Sequence, residues 1–243
     1  MIGADEQLDD LGRGLAIIQK QKGFKYGTDS VLLAKFMLMN SGRCKHCVDM
    51  GTGTGILPIL ISRDPKIGRI TGLEIQNDYA EMANRSVFLN KLEDRITILQ
   101  GDIKNAVELF GKGSVQAVVT NPPYKKADTG IQNAGEGLTI ARHEVLCTLE
   151  DIIKSASLIL EPGGAFYMVH RPERLADTME LMREYKLEPK ILRMVQPKVS
   201  KQPSMFLVAA VKNAGKNLRI LPTLILMEED GTNTKELDDI YEY

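Results

Sequence analysis

Apolar residues along this chain fall into two alternating rhythms. Short runs rich in β-branched residues are separated by longer stretches in which apolar side chains recur every three or four positions. That alternation predicts a doubly wound α/β fold with a mostly parallel sheet. Residues 31–39 (VLLAKFMLM) predict a helix, and residues 45–50 (KHCVDM) a strand ending in Gly51-Thr52-Gly53-Thr54-Gly55. A helix follows with Pro58 in its first turn, where a missing N–H costs little. Further strands are predicted at 69–75, 95–100 and 115–120. Between the first two of these lies a helix that Asn77 caps and that carries Ala80, Ala83 and Val87 on one face. The strand at 115–120 ends in Asn121-Pro122-Pro123-Tyr124, and a loop rich in Gly, Lys and Asp continues to residue 146.

Thr148-Leu149-Glu150-Asp151 has the spacing of a capping box and opens a helix through Leu160. Pro162-Gly163-Gly164 predicts a turn into a strand at 165–170, and Pro172 suits the first position of a helix carrying Leu175, Met179 and Met182. Two more strands are expected at 190–195 and 205–211. Residues 218–227 read as a strand interrupted by Pro222, hence an edge strand or arm, and Glu236–Tyr243 as a short helix or frayed end.

Charge changes the picture more than composition does. The formal net charge of −1 argues at first against a nucleic-acid partner. Residues 1–10 carry −4 and residues 228–243 carry −6, which leaves +9 on residues 11–227. A basic body with acidic ends is compatible with docking on phosphates, and equally with evenly solvated faces. The three cysteines, Cys44, Cys47 and Cys147, argue against a disulfide framework and make a reducing compartment the expectation. Cys44-Lys45-His46-Cys47 is half of a zinc motif, but no second pair completes it, so buried cysteines and no metal are expected. The acidic N-terminus lacks an apolar signal core, and the longest apolar run, Ile56 to Ile61, is too short to span a bilayer. A cytoplasmic protein with no membrane association is the expectation.

The candidate chemistry gathers at predicted strand ends, where ligands sit in open α/β sheets. A strand ending in closely spaced glycines lets a cofactor approach the backbone and meet a helix N-terminus. The third glycine is at 55 and position 56 is Ile, which is the wrong spacing for a pyrophosphate-binding fingerprint. Glu74 ends the next strand, where a carboxylate can accept both hydrogen bonds of a ribose diol. Asp102, after the third strand, is either a turn aspartate or an acceptor for an adenine amino group. At Asn121-Pro122-Pro123-Tyr124 the prolines fix the backbone, and the Asn121 amide and Pro122 carbonyl offer two acceptors for the two hydrogens of a planar NH₂ group. Tyr124 adds a face for stacking a planar substrate.

Asp49 with Gly51, Thr52, Gly53 and Gly55, followed by Glu74, Asp102 and Asn121–Tyr124, resembles the class I S-adenosylmethionine-dependent methyltransferases that act on amino groups. Leu8-Asp9-Asp10-Leu11, Gly23-Phe24-Lys25-Tyr26-Gly27-Thr28-Asp29, Ala141-Arg142-His143-Glu144 and His170-Arg171-Pro172-Glu173-Arg174 further resemble the bacterial tRNA (valine) adenine-N6 methyltransferases. The resemblance implies a seven-stranded sheet whose last hairpin supplies one antiparallel strand. The expected organisation is a short N-terminal helical segment within residues 1–40 that packs on the catalytic domain, a cofactor-binding catalytic domain at 41–215 and a C-terminal edge strand or arm at 216–243. S-adenosylmethionine is the implied cofactor, with Gly27, Thr28 and Asp29 near its methionyl end and Asn121 beside it. A tRNA is the implied partner, with Asn121, Pro122, Pro123 and Tyr124 catalytic. Arg142, His143, Arg171, Arg174, Lys198 and Lys201 are candidates for RNA contact, each otherwise an ordinary surface charge.

The tetrapeptide is shared with enzymes that methylate a protein glutamine amide or rRNA guanine, so those substrates stay open at this point. From other classes, a nicotinamide-dependent oxidoreductase is opposed by the glycine spacing, and a non-catalytic nucleic-acid-binding module by the intact tetrapeptide.

Overall fold

A computed structural model describes residues 2–22, 27–123 and 147–242. The predicted rhythm appears as helices and strands in alternation. The chain opens with β1 (Glu6–Gly12) and β2 (Leu15–Lys20), then α1 (Thr28–Asn40), β3 (Cys44–Met50), α2 (Ile56–Ile61), β4 (Ile67–Glu74), α3 (Asn77–Leu89) and β5 (Ile96–Gln100). A 3₁₀ turn at Ile103–Asn105 leads to α4 (Ala106–Phe110) and β6 (Val115–Thr120). Then come α5 (Leu149–Ile159), β7 (Leu160–His170), α6 (Leu175–Glu184), β8 (Leu187–Gln196), β9 (Met205–Lys212), β10 (Arg219–Ile220), β11 (Leu224–Ile225) and α7 (Lys235–Tyr241).

The seven long strands of the main sheet lie in the order β8-β9-β7-β6-β3-β4-β5. Neighbours pair in parallel from β7 to β5, whereas β9 is antiparallel to both β7 and β8. The sheet is therefore the expected one, with β9 as its reversed strand. The C-terminal arm adds β10 and β11, both parallel to β8 and separated by Pro222. A proline is tolerated in this edge position because no further strand needs its N–H.

Side chains alternate between two apolar layers, as the strand period of two requires. On β6, Ala117 and Val119 join the layer under α1, α2 and α3, while Val118 joins the layer under α4, α5 and α6; Val115, across the register shift from Ala117, joins this second layer as well. On β9, Leu207 and Ala209 face the first layer, and Phe206, Val208 and Ala210 the second. Thr148 caps α5 in a complete capping box with Asp151, as its spacing predicts. Pro162–Gly164 is absorbed into β7 as a register shift against β6, with Gly163 at φ +83°. Gln76, rather than Asn77, occupies the N-cap of α3, and its own side chain makes no capping bond. The amide of Gln76 is held by Glu74 instead.

The N-terminal segment departs from expectation. Only α1 is helical; residues 6–20 form an antiparallel hairpin, β1 with β2. The hairpin buries Ile17 and Ile18 on β2, and at the start of β1 it also buries Glu6, whereas Leu8 is 46% exposed. The buried acid has a partner: both carboxylate oxygens of Glu6 accept from Arg85 on α3, at 2.7 and 2.6 Å. Hydrogen bonds from Ile18 N to Ser86 Oγ and from Ala16 N to Asn90 Oδ1 tie β2 to the same helix. Among the described residues no helix is long and apolar enough to cross a membrane.

The Arg85 guanidinium beside Glu6 holds its carboxyl down at about 2, against an ordinary value of 4.5. A depressed carboxyl pKa contributes stability above the unfolded value, and that contribution is lost as pH falls from 4.5 to 2. Replacing Arg85 with Ala should therefore destabilise the protein by about 2 kcal/mol at pH 7. The difference from wild type should shrink between pH 4.5 and 2 in urea titrations. Equal midpoints at pH 7 would show that the pair does not anchor the hairpin.

Candidate active site

Chain direction reverses beside β3: the chain runs from β3 outward through β4 to β5, then returns to place β6 on the other side of β3. This topological switch point opens a crevice at the carboxyl ends of the strands. The expected residues of the glycine loop, Glu74 and Asn121 all end strands at this one edge.

The loop after β3 is fixed by its neighbour. Gly51 N and Thr52 N both donate to Leu73 O, at 2.9 and 3.0 Å, and Gly55 N donates to Thr52 O at 3.0 Å. The carboxylate of Glu74 reaches across from β4. Its Oε2 accepts from Gly53 N at 2.9 Å and its Oε1 from Gln76 N at 2.8 Å. Gly53 stands at φ +56°, in the left-handed region, and nothing lies within 4 Å of where a Cβ would be. The space above it is open to a ligand that approaches the backbone. Gly55, at φ +87°, forms the N-cap of α2, and a Cβ there would come within 3.2 Å of Ala83 on α3. The third glycine thus serves close packing of loop against helix.

Asp49 is fully buried, and neither of its carboxylate oxygens has a hydrogen-bond partner; the Thr52 hydroxyl is likewise unpartnered. Burial pushes the Asp49 carboxyl up to about 7, with the nearby Thr52 hydroxyl opposing and the charge of Glu74 adding to the rise. The Thr52 influence is one of proximity, since no hydrogen bond of ordinary geometry joins the two. The sign follows from linkage. The unfolded group ionises near 3.8, so its cost to the fold grows from there to about 7 and is constant above. A buried acid of this kind is relieved by a cation or a hydrogen-bond donor in the crevice. An ammonium group, hydroxyls for Glu74 and a flat group above Gly53 are what an amino-acid-bearing nucleoside offers.

On the other flank, Thr120 Oγ1 donates to Met50 O at 2.8 Å and clamps the ends of β6 and β3 together. Asn121 follows immediately, and its Nδ2 donates to Ser30 Oγ at 3.0 Å. The N-terminus of α1 therefore lies over the strand ends. Gly27 is the N-cap of α1, and Asp29 Oδ1 accepts from Ser30 N at 2.8 Å. Thr28 Oγ1 meets the Tyr241 hydroxyl of α7 at 2.9 Å. Pro122 is buried and Pro123 half-buried. Tyr124, Arg142 and His143 lie outside the described residues.

Asp102 caps the 3₁₀ turn after β5: its Oδ1 accepts from Lys104 N at 2.9 Å, and its Oδ2 lies 3.6 Å from Lys104 Nζ. The geometry observed is that of a turn aspartate at the carboxyl edge. The four described basic candidates share that edge. Arg171 and Arg174 follow β7, and Lys198 and Lys201 lie in the turn between β8 and β9. Arg171 spans the two segments by donating to Ser204 O at 3.1 Å. Arg174 pairs with Asp177 at 2.9 Å, and Lys198 donates to Glu229 O at 2.9 Å.

His170, just before Arg171, is buried and pushed down to about 4 by desolvation and the nearby arginines, so it is neutral at pH 7. His46 is also held near 4 by burial and by Arg69, and it bonds Thr71 at 2.9 Å. Cys44 and Cys47 are buried free thiols whose pKa burial raises. No group of three metal-ligating side chains occurs among the described residues. Ser30 is a site residue that the sequence pattern does not single out; its signal is its place directly after Gly27-Thr28-Asp29.

The methyltransferase small domain family model matches residues 21–188. The tRNA1(Val) (adenine(37)-N6)-methyltransferase of Porphyromonas gingivalis is 31% identical over 187 residues, covering 75% of this chain and 72% of that protein. The protein of the same description from Phocaeicola vulgatus is 25% identical over 185 residues, 76% of each chain. Among solved structures, a predicted O-methyltransferase from Agrobacterium tumefaciens superposes with a TM-score of 0.70 at 23% identity, covering 88% of this chain and 95% of that one. That likeness shows the fold.

A side chain at position 53 would fill the open space over the loop. Gly53→Leu should therefore abolish binding of S-adenosylmethionine, the cofactor expected from the sequence, while leaving the protein folded. Titration calorimetry that finds unchanged affinity in this variant would remove the loop from the site.

Proposed function

Since the chain belongs to the methyltransferase small domain family, we propose that it is an S-adenosylmethionine-dependent methyltransferase that methylates N6 of the adenosine next to the anticodon of a tRNA. The observation that carries the chemistry is the Asn121 amide, held by Ser30 at the carboxyl end of β6, across the switch point from the glycine loop and the unpartnered Asp49. The substrate reading rests on the curated relatives and their description as tRNA adenine-N6 methyltransferases.

The donor set fits the cofactor. Glu74 has lone pairs beyond those taken by Gly53 N and Gln76 N, enough for two ribose hydroxyls. Asp49 would satisfy the ammonium group, and Asp102 would accept from the adenine amine. Gly27, Thr28 and Asp29 would flank the methionyl end, with Gly51, Thr52, Gly53 and Gly55 forming the floor. The chemistry that the cofactor supplies when bound is a methyl group activated by a sulfonium.

The protein's task is to make a poor nucleophile competent. The lone pair of adenine N6 is delocalised into the ring. Asn121 Oδ1 and the Pro122 carbonyl would accept its two hydrogens and favour a pyramidal nitrogen whose lone pair points out of the ring plane. Tyr124 would stack on the base, which is easier to extrude from an anticodon loop than from a duplex. Catalysis then rests on positioning and on preorganised acceptors. A general base is not required, because the nitrogen sheds its proton only after the methyl has arrived. His170 is unsuited to that task in any case, since its Nδ1 already accepts from Arg171 N at 2.7 Å.

Arg171, Arg174, Lys198 and Lys201 would hold phosphates along the same edge, joined by Arg142 and His143. Residues 41–215 form the catalytic body in this reading, with 1–40 packed on it and 216–243 as an arm. The cytoplasm is the corresponding compartment.

Labelled methyl transfer to total tRNA, followed by nucleoside analysis, should yield N6-methyladenosine. Label in guanosine or in protein alone would contradict the proposal. Replacing Arg171 and Arg174 together with Ala should weaken tRNA binding and flatten the slope of log affinity against log salt by roughly 1 for each phosphate no longer neutralised. Cofactor affinity should not change. A wild-type slope would move the RNA face elsewhere.

A further inference from the structure

We infer that Ser30 is a positioning residue for methyl transfer: its hydroxyl holds the side-chain amide of Asn121 in place at the end of β6. The inference rests on the role proposed above for Asn121. A side-chain amide has a donor end and an acceptor end, and rotating it by half a turn exchanges them. An amine with two hydrogens to give needs the oxygen end turned toward it. The Nδ2 of Asn121 donates to Ser30 Oγ at 3.0 Å. That bond directs the nitrogen toward α1 and so turns Oδ1 to the opposite side. Without it, the side chain loses one of the bonds that hold its oxygen in that direction.

Ser30 is well built for this. It is only 2% exposed, so water does not compete for its oxygen. It sits in the first turn of α1, where its backbone N–H is held by Gly27 O at 3.2 Å and by Asp29 Oδ1 at 2.8 Å. The backbone of position 30 is thus fixed independently of its side chain. Asn121 is fixed from its own side by Thr120, which is bonded to Met50 O, and by Pro122. Two rigid elements meet through this hydrogen bond between side chains.

The test is single-turnover methylation of tRNA at saturating cofactor in Ser30→Ala, Asn121→Ala and the double variant, with calorimetric cofactor affinity for each. Ser30→Ala should lose about tenfold in rate, the scale of one hydrogen bond. Its cofactor affinity and apparent KM for tRNA should stay at wild-type values. Adding Ser30→Ala to Asn121→Ala should cost less than about a further twofold, because the amide that Ser30 orients is already gone. A merely structural serine would multiply the two losses or show its loss in cofactor affinity, and either result overturns the inference. Wild-type rate in Ser30→Ala beside a crippled Asn121→Ala would overturn it and leave the role of Asn121 intact. Wild-type rate in both would remove the role of Asn121 itself.

Discussion

The carboxylate of Glu74 holds two backbone amides at once, Gly53 N on the loop after β3 and Gln76 N at the start of α3. Much of the site follows from that clamp. The loop contains residues in left-handed backbone conformations, which glycine adopts without steric cost but also without preference. An unclamped loop of this kind would sample many shapes. With one oxygen on the loop and the other on the helix start, Glu74 sets the distance between the two strand ends and leaves the space above Gly53 open. The same carboxylate stands in for the missing side-chain cap of α3.

A second buried acid lies beside it. Asp49 has no hydrogen-bond partner, and its carboxyl is raised to about 7 chiefly by burial, with Glu74 contributing. A buried carboxyl of this kind is matched by a cationic, donor-rich ligand. The open α/β topology places this acidic floor between β3 and β4, while Asn121 follows β6 on the other side of β3. Basic side chains after β7 and in the β8–β9 turn occupy the far part of the same edge. The sheet edge thus separates an acidic half from a basic half, which the proposed function assigns to cofactor and to RNA, with the reacting amine between them.

Much of this is legible in the sequence because it is local. Strand ends are marked by Gly51–Gly55 and by Asn121-Pro122-Pro123, and the capping box at Thr148 announces α5. Non-local compensation hides the rest. Glu6 is buried because Arg85, far along the chain, satisfies it, and no alternation rule anticipates a buried acid at the start of a strand. Ser30 has the pattern of an ordinary helix residue until α1 is laid across the end of β6. Asp102 can be read as a cap or as a ligand contact, and the capping bond to Lys104 N leaves its other lone pairs to the proposed adenine.

If the Glu74 clamp both shapes the loop and receives the ribose, removing it should damage cofactor binding more than deleting any one hydrogen bond would. The direct measurement is the affinity of Glu74→Ala for S-adenosylhomocysteine by titration calorimetry, with the fold checked by circular dichroism. Loss of two charge-assisted hydrogen bonds together with loop order predicts a fall of about a hundredfold or more. A folded Glu74→Ala protein that binds within about threefold of wild type would contradict the account, because the strand-end carboxylate would then neither build the site nor hold the ligand.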